Sequence, residues 1–332
     1  MPLTPGPPTV QITFAQRLRA HLAIARLDHW TKNVLVFPGI IVPLSVLHPA
    51  LDAALFWRLF LGLLATCIIA SSNYVLNEVL DAAYDRLHPI KKNRPAACGL
   101  VHIPLAYVQW LVFLAVGIGL AMQLSSPPFT WTLAALWMMG CIYNIPPVRS
   151  KDVPYVDVLS ESVNNPLRML AGWYMVTTAI FPPASLLVAY WMIGAYLMAL
   201  KRFSEFRQIN NQERAGAYRK SFHKYTERSL LVSVTFYGSA AMLFFGAFII
   251  RYRVELMLSF PLVALVMAVY YHMAFDENSA AQNPESLHRH IGLMTSVFLC
   301  VAAMTVLLFV NLPFLQKAFA PTMPQHGLVD RQ

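Results

Sequence analysis

Residues 71–101 read SSNYVLNEVLDAAYDRLHPIKKNRPAACGLV. In this stretch an apolar helical pattern runs into Asn73, Asn77, Asp81 and Asp85, one polar residue every four. Residues four apart stack on one face of an α-helix, so these four form a single polar stripe at the end of an apolar segment. Carboxylates are costly even at the edge of a bilayer and there face a protein interior or water. Oxygen ligands one turn apart suit Mg²⁺, which takes a few protein oxygens and fills its other positions with phosphate and water. Glu78 and Arg86 flank the stripe, and Lys91, Lys92 and Arg94 follow it with cations for diphosphate oxygens. The alternative is a solvated helix end whose acids pair with those cations. Three acids and two asparagines on successive turns exceed what such an end requires.

Working outward, 57% of the 332 residues are hydrophobic and 12% charged. A soluble domain carries roughly 25% charged residues, and a single soluble core of this length leaves too much surface to hide so many apolar side chains. Apolar runs able to cross a hydrocarbon core of about 30 Å lie near 31–48, 54–76, 103–123, 129–146, 155–180, 183–200, 229–250, 254–274 and 290–312. The expectation is an all-α polytopic membrane protein with nine transmembrane helices. One catalytic domain is expected over 21–315, between a flexible lead-in (1–20) and a C-terminal tail (316–332). The lead-in has no early apolar core, so no cleavable signal peptide is visible.

The net charge of +9 at first suggests nucleic acid as a partner. The basic residues instead sit in short clusters between apolar runs, which marks membrane topology and excludes a nucleic-acid face. One side collects the clusters around Arg26, Lys91, Arg149, Lys201, Lys220 and Arg289; the other holds Arg58, Arg251, Arg253, Lys317 and Arg331. The positive-inside rule puts the N-terminus and the long basic loops in the cytoplasm and the C-terminus outside, a parity that nine spans also give. Cys67, Cys98, Cys141 and Cys300 are scattered without metal-knuckle spacing and read as small buried hydrophobes. The histidines, His88 beside the stripe among them, show no paired spacing with a carboxylate and read as surface or interface residues.

The run Asn77-Glu78-x-x-Asp81-x-x-x-Asp85, followed by KKNRP (91–95) and Gly99, resembles the first Asp-rich motif of the UbiA-type intramembrane prenyltransferases. Glu78 stands where the family pattern has Asp. The resemblance covers nearly the whole chain and implies nine helices around a central cavity open to the cytoplasm, with Mg²⁺ as cofactor. Members that use a prenyl diphosphate generally carry a second Asp-rich motif after the sixth helix. Here that loop, LMALKRFSEFRQINNQERAGAYRKSFHKYTERSL (197–230), has no DxxxD, and Lys201, Arg202, Glu205 and Arg207 take its place. With the opening RLDHWTKNVLVF (26–37), this is similar to the decaprenyl-phosphate phosphoribosyltransferase branch. That branch joins 5-phosphoribosyl 1-diphosphate to a polyprenyl phosphate in the bacterial plasma membrane. The connection YNIPPVRSKDVPYVD (143–157) is in turn similar to aromatic-acceptor members.

The implied roles are then concrete. Asn77, Asp81 and Asp85 hold the metal and carry the catalysis, with Asn73 and Glu78 in support. Arg94, with Lys91 or Lys92, neutralises the departing diphosphate, and Lys201 and Arg202 orient the lipid phosphate. Lys32 reaches a phosphate or anchors the helix start. Tyr143, Arg149, Lys151 and Asp157 contact substrate or lock their loop. Arg168, inside an apolar run with Asn164 and Asn165, lines the cavity or pairs with Glu161, and the basic cluster of 201–228 binds substrate phosphate or lipid headgroups. Two other functions stay open: alkylation of an aromatic acid such as 4-hydroxybenzoate by a prenyl diphosphate, and a transporter or channel. Assembly as a homo-oligomer is also left open.

Overall fold

The computed structural model describes residues 13–86, 91–276, 279–282, 287 and 290–320. Among them the chain is entirely helical, without a strand. The helices are α1 (Phe14–Ile24), α2 (Phe37–Leu47), α3 (Ala53–Asp85), α4 (Ile103–Gln123), α5 (Pro127–Asn144), α6 (Val156–Ser162) and α7 (Asn164–Val176). They continue as α8 (Ala184–Ile209), α9 (Gln212–Tyr218), α10 (Glu227–Tyr252), α11 (Phe260–Met273), α12 (Ile291–Phe309) and α13 (Pro313–Ala318).

Among the described residues, seven helical stretches are long and apolar enough to cross a membrane: Phe14–Leu47, α3, α4, α8, α10, Val254–Met273 and α12. Large apolar side chains such as Trp131, Leu243, Phe298 and Ile291 stand at least 70% exposed around the bundle. In water such a belt would drive aggregation, whereas lipid solvates it. The chain is an integral membrane protein.

Two of the nine expected spans fall outside the seven. The run 129–146 forms α5, but this helix is rich in Trp, Thr and Pro and ends on Tyr143 and Asn144. The run 155–180 is not one helix: it breaks at Val163 into α6 and α7. Pro166, in the first turn of α7, lacks the N–H that would donate to the carbonyl of Ser162 and continue α6. At the ends, residues 14–20, expected in the lead-in, are already helical. Thr13 caps α1 with a reciprocal bond to Gln16. Residues 316–318 of the expected tail belong to α13. Residues 1–12 and 321–332 lie outside the described residues, as do His88 and Arg289.

Three apolar cores hold the described residues together, the smallest around Ile24, Val75 and Ala106 between α1, α3 and α4. One of the two larger joins α2, α3, α5 and α7 through Ile40, Ile69, Phe129, Leu133, Met169 and Trp173. The other joins α8 to α10 through Tyr196, Leu200, Phe203, Leu230 and Tyr237. α2 and α7 cross backbone to backbone. A Cβ on Gly39 would come within 1.9 Å of the Met169 carbonyl oxygen, and one on Gly172 within 2.2 Å of that of Val36. Small residues permit such close helix crossings in membranes. α3 has 33 residues, roughly 50 Å at 1.5 Å per residue, so it outreaches a hydrocarbon core of about 30 Å. Its polar last turns therefore stand at one end of the bundle, where the loops meet.

Candidate active site

A cavity of about 230 Å³ opens at that end. One wall is the C-terminal half of α3, with Asn73, Tyr74, Asn77, Asp81, Tyr84 and Asp85; the opposite wall is the last turns of α8, with Lys201, Arg202 and Glu205. Connecting segments close the rim with Lys91, Arg94, Arg149, Lys151, Asp152, Tyr218, Arg219 and Lys220. Glu161, Asn164 and Arg168 of α6 and α7 and Gly140, Tyr143 and Asn144 of α5 complete it. Three of the basic loops expected on one face thus meet at one site. The amide of Gln282 donates to the carbonyl and hydroxyl of Ser204, which brings the segment 279–282 to the same end.

The stripe forms as its spacing predicts, with its two asparagines held from α5 and its two aspartates from the loops. Asn73 donates to the Leu136 carbonyl at 2.9 Å. A Cβ on Gly140 would lie 2.2 Å from the Asn73 amide oxygen, so only glycine lets α5 approach there. Asn77 donates to Asp81 at 3.2 Å and to Asn144 at 2.6 Å. Asp81 accepts from Lys151 at 2.5 Å and Arg149 at 3.0 Å, and Asp85 from Arg94 at 2.7 Å. Arg149, at φ +28°, holds an uncommon backbone conformation. Its guanidinium also meets Asp152 at 3.2 Å and lies over the Tyr84 ring.

On the α8 wall, Arg202 is buried and fully engaged. It meets Asp157 at 3.2 Å and Glu205 at 3.0 Å, and it donates to the Tyr143 hydroxyl. Lys201, one residue earlier, lines the cavity and makes no hydrogen bond or ion pair among the described residues. Arg168 donates to Asn33 at 3.0 Å; the alternative ion pair with Glu161 is not formed.

Five of the expected site residues stand outside the cavity. Glu78 is 2% exposed and turned to the back of α3, since neighbours on a helix differ by about 100°. There it accepts from Arg26 at 3.1 Å and from the Ala96 amide, which ties the 91–97 loop to α3. Arg86 donates to the Ala97 carbonyl, and Lys92 is exposed. Lys32 meets His29 and lies 6.0 Å from the Tyr74 ring centroid, behind the cavity wall. Asp157, fully buried, gathers Arg202, Ser221, Tyr225 and Arg219, so it braces the loop instead of facing the cavity. Cys98, expected to be buried, is exposed.

Asn144, Asp152 and Tyr218 went unnoticed in the sequence. Asn144, a polar residue at the end of an apolar run, carried a usable signal; it bridges Asn77 and Lys151. Tyr218 bonds Lys91, and nothing in the sequence pairs those two positions.

Lysines and arginines on the lining outnumber aspartates and glutamates nine to five. Burial pushes the Lys151 ammonium down to about 8 and Arg149 adds to the lowering, against the pull of Asp81. Burial also lowers Lys91. Among the described residues no three His, Cys, Asp or Glu side chains gather to hold a metal ion by themselves. Two carboxylates and two amide side chains one turn apart, beside cations, do match Mg²⁺, which borrows its remaining ligands from phosphate and water. The donor set fits a metal brought together with a charged substrate.

The fold is that of solved UbiA homologues. A homologue from Archaeoglobus fulgidus bound to GPP and Mg²⁺ superposes with a TM-score of 0.62 at 17% identity, covering 86% of this chain and 99% of that one. The same homologue bound to DMAPP and Mg²⁺ gives 0.61 at 18% identity, covering 88% and 98%. Among curated relatives, nodulation protein NoeC of Azorhizobium caulinodans is 28% identical over 72% of each chain. Decaprenyl-phosphate phosphoribosyltransferase of Corynebacterium glutamicum is 28% identical over 66% of this chain and 63% of its own length. The enzyme of that name from Mycolicibacterium smegmatis is 26% identical over 67% of each. The model of the UbiA prenyltransferase family matches residues 35–292, well over half of the sequence; this chain belongs to that family and is a transferase.

Proposed function

We propose that the chain transfers 5-phosphoribose from 5-phosphoribosyl 1-diphosphate to a polyprenyl phosphate, with Mg²⁺ as cofactor. The observation that carries this reading is Lys201. Across the cavity from Asp81 and Asp85 stands an ammonium that makes no hydrogen bond or ion pair among the described residues, in the place where the sequence lacks a second acidic motif. A second metal-bound diphosphate site needs acids there; a bare lipid phosphate needs a cation. The excess of lysine and arginine around the cavity supports a reaction in which both substrates carry phosphate, as do the relatives named decaprenyl-phosphate phosphoribosyltransferase.

In this reading Asn77, Asp81 and Asp85 would hold the ion, with Asn73 beside them. When bound, it neutralises diphosphate charge and so eases loss of the leaving group. Arg94 and Lys91 meet the diphosphate oxygens as the bond from the anomeric carbon to the diphosphate breaks. Lys201 holds the lipid phosphate, whose oxygen forms the new bond to that carbon. A phosphate monoester is already anionic at neutral pH, so no general base is needed. Arg202 and Tyr143 at the cavity lining and Asp157 behind it fix α8 against the loop.

The proposal includes the finer topology. α5 and the broken α6–α7 pair complete nine spans in a bacterial plasma membrane, and the cavity faces the cytoplasm. The test is transfer of radiolabelled phosphoribosyl donor to polyprenyl phosphate by purified protein in detergent, with and without Mg²⁺. Mg²⁺-dependent product is expected. Alkylation of 4-hydroxybenzoate by a prenyl diphosphate, with the phosphoribosyl donor inert, overturns the reading; solute flux without any transfer moves the chain out of enzymology.

A further inference from the structure

Five carboxylates line the cavity, and four are tied to cations. Asp81 holds Lys151 and Arg149, Asp85 holds Arg94, Asp152 holds Arg149 and Lys220, and Glu205 holds Arg202. Glu161 is the exception: its carboxylate makes no hydrogen bond or ion pair among the described residues. Its place is central, because its charge acts on Tyr74 of α3, on Tyr143 of α5 and on Lys201 and Arg202 of α8. The side-chain nitrogen of Asn164 donates to the backbone carbonyl of Glu161 at 3.0 Å, so the two move as one unit. The Asn164 amide oxygen is buried without a hydrogen-bond partner among the described residues.

An acceptor-only group left unmatched among cations, with an amide oxygen beside it, needs donors from a ligand. Phosphate oxygens are acceptors and bear negative charge, so they do not serve. Hydroxyl groups serve, and two adjacent ones match a carboxylate with an amide oxygen nearby.

We propose that Glu161, with Asn164, receives the 2- and 3-hydroxyl groups of the sugar in the donor and selects a ribosyl over a deoxyribosyl or hydrocarbon diphosphate. This rests on the phosphoribosyl reading above and deepens it. The unit sits where the break between α6 and α7 turns the chain, so the irregular backbone at Val163 has a use: it brings Glu161 and Asn164 together on the cavity lining.

The experiment measures kcat/KM of the purified protein with polyprenyl phosphate and three donors: phosphoribosyl diphosphate and its 2-deoxy and 3-deoxy analogues. The wild type is expected to prefer the full ribosyl donor, and Glu161→Ala to lose that preference by about 10²-fold, since a site built around a hydroxyl discriminates strongly against its absence. Glu161→Gln should keep part of it, and Asn164→Ala should lower it less. Thermal melting in detergent checks that each variant is folded. Glu161→Ala lowering all three donors in parallel, or none, overturns the assignment while the phosphoribosyl reading survives. Wild-type protein inert with the phosphoribosyl donor overturns both.

Discussion

On α3, carboxylates at the cavity surface are held by cations that come from the loops: Asp81 by Lys151 and Arg149, Asp85 by Arg94. On α8 the polarity is reversed and the pair is closed on both sides, with the buried Arg202 cation against fully buried Asp157 and beside Glu205 and Tyr143, whereas each α3 pair keeps one partner partly exposed. The first arrangement exchanges partners when a metal and a diphosphate arrive, because its cations are themselves suited to phosphate. The second cannot exchange, since removing one partner strands a buried charge. Ion pairs of similar length thus do different work: those of α3 keep a site ready, and those of α8 keep a wall in place.

The largest expected effect breaks the α3 side. Asp81→Asn should lower turnover about 10³-fold, on the scale of losing a group that stabilises developing charge, with little change in thermal stability. A variant that melts far below the wild type would mean that Asp81 is a brace like Asp157. Next, the two neighbours on α8 should separate cleanly. Lys201→Met should lower kcat/KM for the lipid acceptor by about 10²-fold, equivalent to a charged hydrogen bond of roughly 1.5–3 kcal/mol. Arg202→Met should instead destabilise the protein by about 3–5 kcal/mol, the cost of opening a buried pair. Denaturation in detergent and acceptor kinetics read the two quantities separately, and a reversed outcome would dissolve the contrast.

A smaller effect is set by pH. Lys151 is lowered to about 8, so it sheds its proton as pH rises through that value and stops competing for Asp81. Mg²⁺ affinity, measured in the presence of inorganic diphosphate, should tighten several-fold between about pH 7 and 9 in the wild type. The rise should flatten in Lys151→Gln. Smallest of all, Lys92→Ala should change kcat/KM less than about two-fold, as expected for an exposed surface charge.

The polar stripe was readable because helical periodicity places Asn73, Asn77, Asp81 and Asp85 on one line whatever surrounds them. Adjacency was the misleading signal. Glu78 belongs to the same motif as Asn77, and Arg202 follows Lys201, yet a step of one residue turns each side chain about 100° away. Which member of such a pair is left open to a ligand depends on packing from other elements: Arg26 and Ala96 hold Glu78 outside the cavity, and Asp157 and Glu205 occupy Arg202 on its lining. The break at Val163 was hidden for a related reason. Hydropathy registers apolar content, and α6 and α7 together have enough of it to resemble one span. Asp157 combined both problems, because its partners Arg219, Ser221 and Tyr225 lie more than sixty residues along the chain.

The crossing of α2 and α7 has an effect beyond its own seam. Met169, whose carbonyl presses on Gly39, directly follows Arg168. A single added methyl at position 39 would lever α7 outward and carry that guanidinium with it, deforming the floor of the bowl from a residue that never meets a ligand. The shape available to substrate is therefore governed, at a distance, by two hydrogen atoms standing where other residues keep a side chain.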